Sequence, residues 1–292
     1  MRIAVVGLGG VGGYLCASLS KGSDEIIGFA RGEHLRTIQK SGIKIVEDEN
    51  AWTQSIDAQN LNDAEGYFDI VLFCVKSYDL SNSYKKIAHC VDNKTVIVSF
   101  SNGVSNAESL RELSSSRVID GCIYILSHIE EYGVIRKQGK VFRAVFGGDI
   151  LATKILGTVF DNVALRIKTP TDIKTALWKK YIFISALGTL TSYYDKSIGY
   201  IYQYHKDEIK SVLNEINLVA KSLNIEIFDE IEKSLITASK VPYNSSTSMH
   251  LDFQNHKKTE LETVTGYIVK TALQHNIETP LMNKMYTKLS VL

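Results

Sequence analysis

Proline is almost missing from this chain of 292 residues, occurring three times. That excludes a proline-rich linker, tail or polyproline ligand segment. Cysteine is nearly as scarce. Cys16, Cys74, Cys90 and Cys122 are scattered, each in or beside an apolar run. No pair has the spacing of a metal site or a disulfide framework, so no metal is expected, and buried reduced thiols are. Neither sign of charge dominates: the formal net charge is +1. This gives no footing for nucleic acid or for a membrane surface. No apolar run is long enough to span a bilayer. The first strand begins at Arg2, without the basic segment and cleavage site of a secretory leader, so a cytoplasmic location is expected. What is present is an ordinary apolar fraction of 45% and a length that suits two domains.

Glycine is concentrated where it carries information. The stretch RIAVVGLGGVGGYLCASL, residues 2 to 19, runs a short β-branched strand into a glycine cluster and then a helix. Gly7, Gly9 and Gly12 fit G-x-G-x-x-G, with Gly10 and Gly13 as extras. EIIGFAR follows as a second strand. A strand, glycine turn, helix and strand within about 30 residues is the setting of the dinucleotide fingerprint. There the first glycine permits the turn, the second lets a pyrophosphate approach the backbone, and the third lets helix and strand pack. The helix amino terminus faces the phosphates. At the tip of the second strand stands Arg31, not an acid. A guanidinium suits a 2′-phosphate and favours NADP. The other reading leaves Arg31 in solvent and gives the ribose to Glu33.

The alternation continues. IKIVED predicts a strand over residues 43–48, in a local hairpin with WTQSID. FDIVLFCVKSYD is a buried strand ending at Lys76, and KTVIVSFSNGV is another ending at Asn102-Gly103. Ligands of open parallel sheets bind beyond the carboxyl ends of the strands. Lys76 and Asn102 sit at two such ends, although a lysine entering water or an Asn-Gly turn would look the same. Later strands are SRVIDGCIYILSH, KVFRAVFGG and NVALRIKTP, with a short helix over residues 151–162. Residues 1–168 thus read as a doubly wound α/β domain of Rossmann type.

Beyond Pro170 helical periods take over, and residues 169–292 read as all-helical. DIKTALWKKYIFISALGTLTSYY predicts a long apolar helix containing Lys179 and Lys180. YQYHKDEIKSVLNEINLVAKSLNI, EIFDEIEKSLITASK, KKTELETVTGYIVKTALQH and a segment after Pro280 predict further helices, with YNSSTSMHLDF as a loop. Lys180 shares its face with Ile184 and Leu187. Glu260 shares a stripe with Val264, Tyr267 and Thr271, whereas Glu262 faces solvent with Gly266 and Lys270. A carboxylate on an apolar stripe is a candidate for chemistry, and a snorkelling lysine or a satisfied core acid is the plainer account.

Taken together the motifs resemble ketopantoate reductase, the NADPH-dependent 2-dehydropantoate 2-reductase, over almost the whole chain. The resemblance rests on VGLGGVGGYL, FARGEHL, CVKSYD, SNGV, LWKKY and the pair SSTSMHLD with KKTELETVTGY. It implies an amino-terminal Rossmann domain, a helical domain like that of 6-phosphogluconate dehydrogenase relatives, and an active site in the cleft between them. It implies that NADPH lies across Gly7, Leu8, Gly9, Gly10, Val11 and Gly12, with Arg31 and Lys76 near its adenosine phosphate and Asn102 also beside the cofactor. Lys180 matches the catalytic lysine of Trp-x-Lys and would stabilise and protonate the keto oxygen. Asn102 would orient Lys180 and substrate, Ser248 would hold the substrate carboxylate, and Glu260 would bind a substrate hydroxyl and fix Lys180. The implied partner is a small 2-oxo acid, ketopantoate in the first place, and a homodimer is allowed. Three positions depart from the family pattern: Ile184, Gly188 and Ser245 stand where it commonly has asparagine. They leave open a less polar 2-oxo acid as substrate, or a non-catalytic NADP-binding regulatory protein.

Overall fold

The computed structural model describes every residue, Met1–Leu292. The chain divides into two compact units. One comprises Met1–Ser101 and Ser105–Ile173; the other comprises Asn102–Val104 and Lys174–Leu292.

The first unit is built on strands β1 (Arg2–Val6), β2 (Glu25–Ala30), β3 (Ile43–Glu47), β4 (Asn50–Gln54), β5 (Asp57–Asn60), β6 (Ile70–Phe73), β7 (Val96–Ser99), β8 (Arg117–Glu131), β9 (Val134–Gly147) and β10 (Ile167–Lys168). Helices α1 (Gly10–Leu19), α2 (Gly32–Ser41), α3 (Leu80–Ile87), α4 (Asn106–Leu113) and α5 (Ile150–Asp161) connect them. The sheet order is β4-β3-β9-β8-β7-β6-β1-β2-β5, with β10 beside β9. From β5 to β8 every pairing is parallel. Such strands have both faces covered, which explains why IVLF and VIVS are buried at every position. One apolar cluster joins α1 and α5 to one face of the sheet, and a second packs Leu80, Ile87 and Leu110 against the other. The expected β3–β4 hairpin is present.

Three strands differ from the sequence reading. β8 and β9 form a long antiparallel hairpin, with register shifts between Ile125 and Ser127 and between Ile129 and Glu131. With the β3–β4 hairpin it makes the sheet a mixed one. Conversely, NVALRIKTP yields only the two-residue strand β10.

The second unit contains α6 (Ile173–Tyr194), whose first residue belongs to the other unit, then α7 (Ile198–Tyr204), α8 (Lys206–Ser222), α9 (Asp229–Lys240), α10 (Ser248–Gln254), α11 (Tyr267–Gln274) and α12 (Pro280–Leu289). The stretch YQYHKDEIK splits into two helices at His205, which closes α7 and opens α8. The stripe Ile209, Val212, Leu213, Ile216, Val219 and Ala220 of α8 is buried as its period requires. Pro280 opens α12, where a missing N–H costs nothing. The next two N–H groups, of Leu281 and Met282, donate to the buried Glu215 carboxylate, each at 2.9 Å. Residues Glu262–Gly266, read from sequence as regular helix, form a π-turn before α11. No helix is long and apolar enough to cross a membrane.

Candidate active site

In the α/β unit the chain leaves β1 toward β2 on one side and later returns to β6 on the other. β1 and β6 therefore flank the topological switch point, where this class of sheet binds ligands. Gly7 follows β1 with φ +95°, and a Cβ there would lie 2.8 Å from Val75 Cγ1, in the segment that follows β6. A Cβ on Gly12 would lie 1.9 Å from the Gly7 carbonyl oxygen. These two glycines are demanded by the protein itself. Gly9 is different: a Cβ there would meet nothing within 4 Å. It caps α1 with no side-chain hydrogen bond, so bare backbone stands at the start of α1 and leaves the first N–H groups without a capping side chain. That is the cradle a pyrophosphate needs.

Gly10 and Gly13, the extras of the fingerprint, have another explanation. Added Cβ atoms would lie 2.4 Å from the Ser127 carbonyl oxygen and 2.8 Å from Ile135 Cγ1, so they let the β8–β9 hairpin lie on α1. Leu8 is 2% exposed in the core, and its carbonyl contacts His34 Nε2 at 2.8 Å. Val11 packs against the same core.

Arg31 ends β2 and opens α2, followed by Gly32 at φ +62°. Its side chain is 86% exposed and contacts Asp79 Oδ2 at 3.4 Å, a weak surface pair that leaves most of the guanidinium fork to other partners. Glu33 is engaged with Arg36 at 2.7 Å. Lys76 is half-buried three residues beyond β6 and caps a short turn rather than ending the strand.

In the helical unit, Lys179 is exposed and Lys180 half-buried. Lys180 Nζ donates to Asn102 Oδ1 at 3.3 Å. Asn102 lies past the end of β7, yet with Gly103 and Val104 it belongs to the helical unit, and Val104 packs on that unit's core. Glu260 is 5% exposed. Its segment is fastened to α6 just beside Lys180. Tyr181 Oη lies 2.8 Å from the Thr263 carbonyl and 3.0 Å from that of Val264, Ser185 Oγ donates to Val264 O at 2.6 Å, and Thr189 Oγ1 meets Thr265 Oγ1 at 2.7 Å. The wide π-turn presents these carbonyls sideways, and the hydroxyls of α6 take them up. Sequence reading singled out none of these three residues. The signal was there, since Tyr181, Ser185 and Thr189 recur every four residues on a mostly apolar helix.

Ser248 is the exposed first residue of α10. The loop before it is held by His250, whose Nε2 meets Asp195 Oδ1 at 2.7 Å and whose Nδ1 meets Ser246 Oγ at 2.5 Å. Thr191 and Thr247 hydroxyls add a contact of 2.8 Å to α6. The structure thus brings Lys180 and Asn102 together and ties the segments of Ser248 and Glu260 to α6.

The family model described as Ketopantoate reductase PanE/ApbA matches residues 3–148, and its C-terminal companion matches residues 172–292. The chain belongs to the ketopantoate reductase family. As a ketopantoate reductase family member it is an oxidoreductase acting on CH–OH groups, with a nicotinamide cofactor. It is 25% identical over 300 residues to "Uncharacterized oxidoreductase YkpB" of Bacillus subtilis (strain 168), covering all of this chain and 98% of that one. It is 26% identical over 305 residues to the 2-dehydropantoate 2-reductase of Aquifex aeolicus (strain VF5), covering 99% and 96%. Among solved structures, the PanE/ApbA family ketopantoate reductase from Ralstonia eutropha JMP134 shares the fold with a TM-score of 0.93 at 23% identity, covering 100% and 98%. Both halves of the fold expected from sequence, the Rossmann sheet and the all-helical second part, are those of the ketopantoate reductase family.

Proposed function

We propose that this protein reduces a 2-oxo acid to the 2-hydroxy acid with NADPH, residues 1–168 serving the cofactor and residues 169–292 the substrate. The observation that carries the reading is the amine of Lys180, half-buried on an apolar helix and held by the Asn102 amide oxygen at 3.3 Å. When bound, the cofactor would supply hydride to the keto carbon. Gly7, Leu8, Gly9, Gly10, Val11 and Gly12 would hold its pyrophosphate, with Arg31 on the 2′-phosphate and Lys76 and Asn102 alongside. As negative charge builds on the keto oxygen, Lys180 stabilises it and delivers a proton from Nζ. Asn102 fixes the direction of that ammonium. Glu260 would help to hold Lys180 in place. Ser248 holds the substrate carboxylate through its hydroxyl.

The test is NADPH consumption by the purified protein with ketopantoate beside a series of other 2-oxo acids, repeated with NADH. Turnover with NADPH preferred is the expected outcome. Tight NADPH binding without turnover of any 2-oxo acid would instead make this a non-catalytic NADP-binding protein.

A further inference from the structure

The face of α6 that carries Lys180 continues through Ile184 and Gly188, at successive intervals of four residues. Ile184 is half-buried and packs on a cluster of Met249, Leu261 and Val264. Gly188 is buried, and the space a side chain would take there is closed by hydrocarbon. A Cβ would lie 3.2 Å from Val264 Cγ1 and 3.7 Å from Met249 Cε. Met249 is the neighbour of Ser248, and Val264 accepts at its carbonyl from Tyr181 and Ser185, the residues that follow Lys180 and Ile184. Ile184 is therefore midway along α6 between Lys180 and the turn that meets α10, about 6 Å of helix rise from each. Side chains of a helix lean toward its amino terminus, so Ile184 covers the turn of Lys180.

We infer that the 2-oxo acid of this site carries a hydrocarbon side chain, seated on Ile184, which the buried Val264 and Met249 back from the core, and that a side-chain hydroxyl is disfavoured. The inference rests on the reductase reading above. A substrate that reaches both Lys180 and Ser248 crosses Ile184, whose side chain offers no donor or acceptor. A hydroxyl laid there gives up its water without replacement, whereas a methyl group gains contact. Glu260 then serves to hold Lys180 rather than the substrate's hydroxyl.

Ketopantoate and trimethylpyruvate differ in a single hydroxyl, which makes them the measuring pair. The wild-type protein is expected to reduce trimethylpyruvate with a kcat/KM about 10- to 100-fold above that for ketopantoate. Ile184→Asn, which places an amide on the wall, is expected to lower that ratio by about tenfold or more, with the KM for NADPH unchanged. Equal kcat/KM values, or a preference for ketopantoate in the wild-type protein, would overturn the inference and leave the reductase reading standing. Turnover of neither acid, nor of any other 2-oxo acid, would overturn both. The wild-type ratio decides the matter even where Ile184→Asn does not fold.

Discussion

At the residue scale, the glycines of the first turn are not equivalent, and the difference can be measured. Gly12→Ala places a Cβ 1.9 Å from a carbonyl oxygen, so the turn or α1 must shift. Gly9→Ala meets no protein atom within 4 Å. We expect Gly9→Ala to keep the wild-type melting temperature and to weaken NADPH binding, and Gly12→Ala to lose several degrees of Tm before any ligand is added. Calorimetry with and without NADPH reads both. Lys180→Ala is expected to lower kcat by about 100- to 10,000-fold, the range for losing a positioned general acid, with NADPH affinity nearly unchanged. Retention of most activity would remove Lys180 from the reaction. Lys180, Asn102 and Glu260 stand out in the sequence as a polar group at a strand end and charges on apolar stripes, but the pattern alone left plainer accounts open, and it is the family resemblance that gives them roles. Their spacing could not say that Lys180 meets Asn102, 78 residues earlier. That pairing follows from Asn102 joining the helical unit, which no local pattern records.

At the element scale, the segment after Glu260 shows what periodicity misses. Glu260, Val264 and Thr271 are buried and Tyr267 is half-buried, so the stripe is correct, but Gly266, read as sharing a solvent face with Glu262 and Lys270, is buried. The turn is π, and the hydroxyls of Tyr181, Ser185 and Thr189 take up its carbonyls and the Thr265 hydroxyl. Ser185→Ala removes a buried donor at 2.6 Å from the Val264 carbonyl, which keeps Tyr181 as partner. A cost of about 1 kcal/mol is expected, a fall of roughly 2 to 4 °C in Tm. A kcat/KM loss larger than the stability loss explains, measured well below Tm, would identify the segment as a positioning device for Glu260. The β8–β9 hairpin was also illegible as a hairpin. Both strands were visible, but their antiparallel pairing is non-local in effect: it is read only where Gly10 and Gly13 yield to it.

At the scale of the whole molecule, pH links the cofactor turn to global stability through His34. Its Nδ1 accepts from the Gly133 N–H at 3.1 Å, so Nε2 carries the proton and donates to the Leu8 carbonyl. Burial holds its pKa below the ordinary value, and the hydrogen bond to Leu8 offsets only part of that. A proton on Nδ1 would face an N–H donor. The stabilising contribution is thus complete above the unfolded pKa of about 6.5 and is lost as pH falls through the lower folded value. Tm is expected to fall between pH 7.5 and 5, about where histidine titrates, and His34→Gln should flatten that step; an unchanged step would clear His34 of the effect. The same scale holds a consequence for biosynthesis. Asn102–Val104 belong to a unit whose remainder begins at Lys174. On a ribosome adding about 5 to 20 residues per second, Asn102 is made several seconds before Lys180 exists. During that interval the nascent α/β unit must close around a three-residue detour whose destination has not yet been translated, and the contact of Asn102 with Lys180 waits for the later half of the chain.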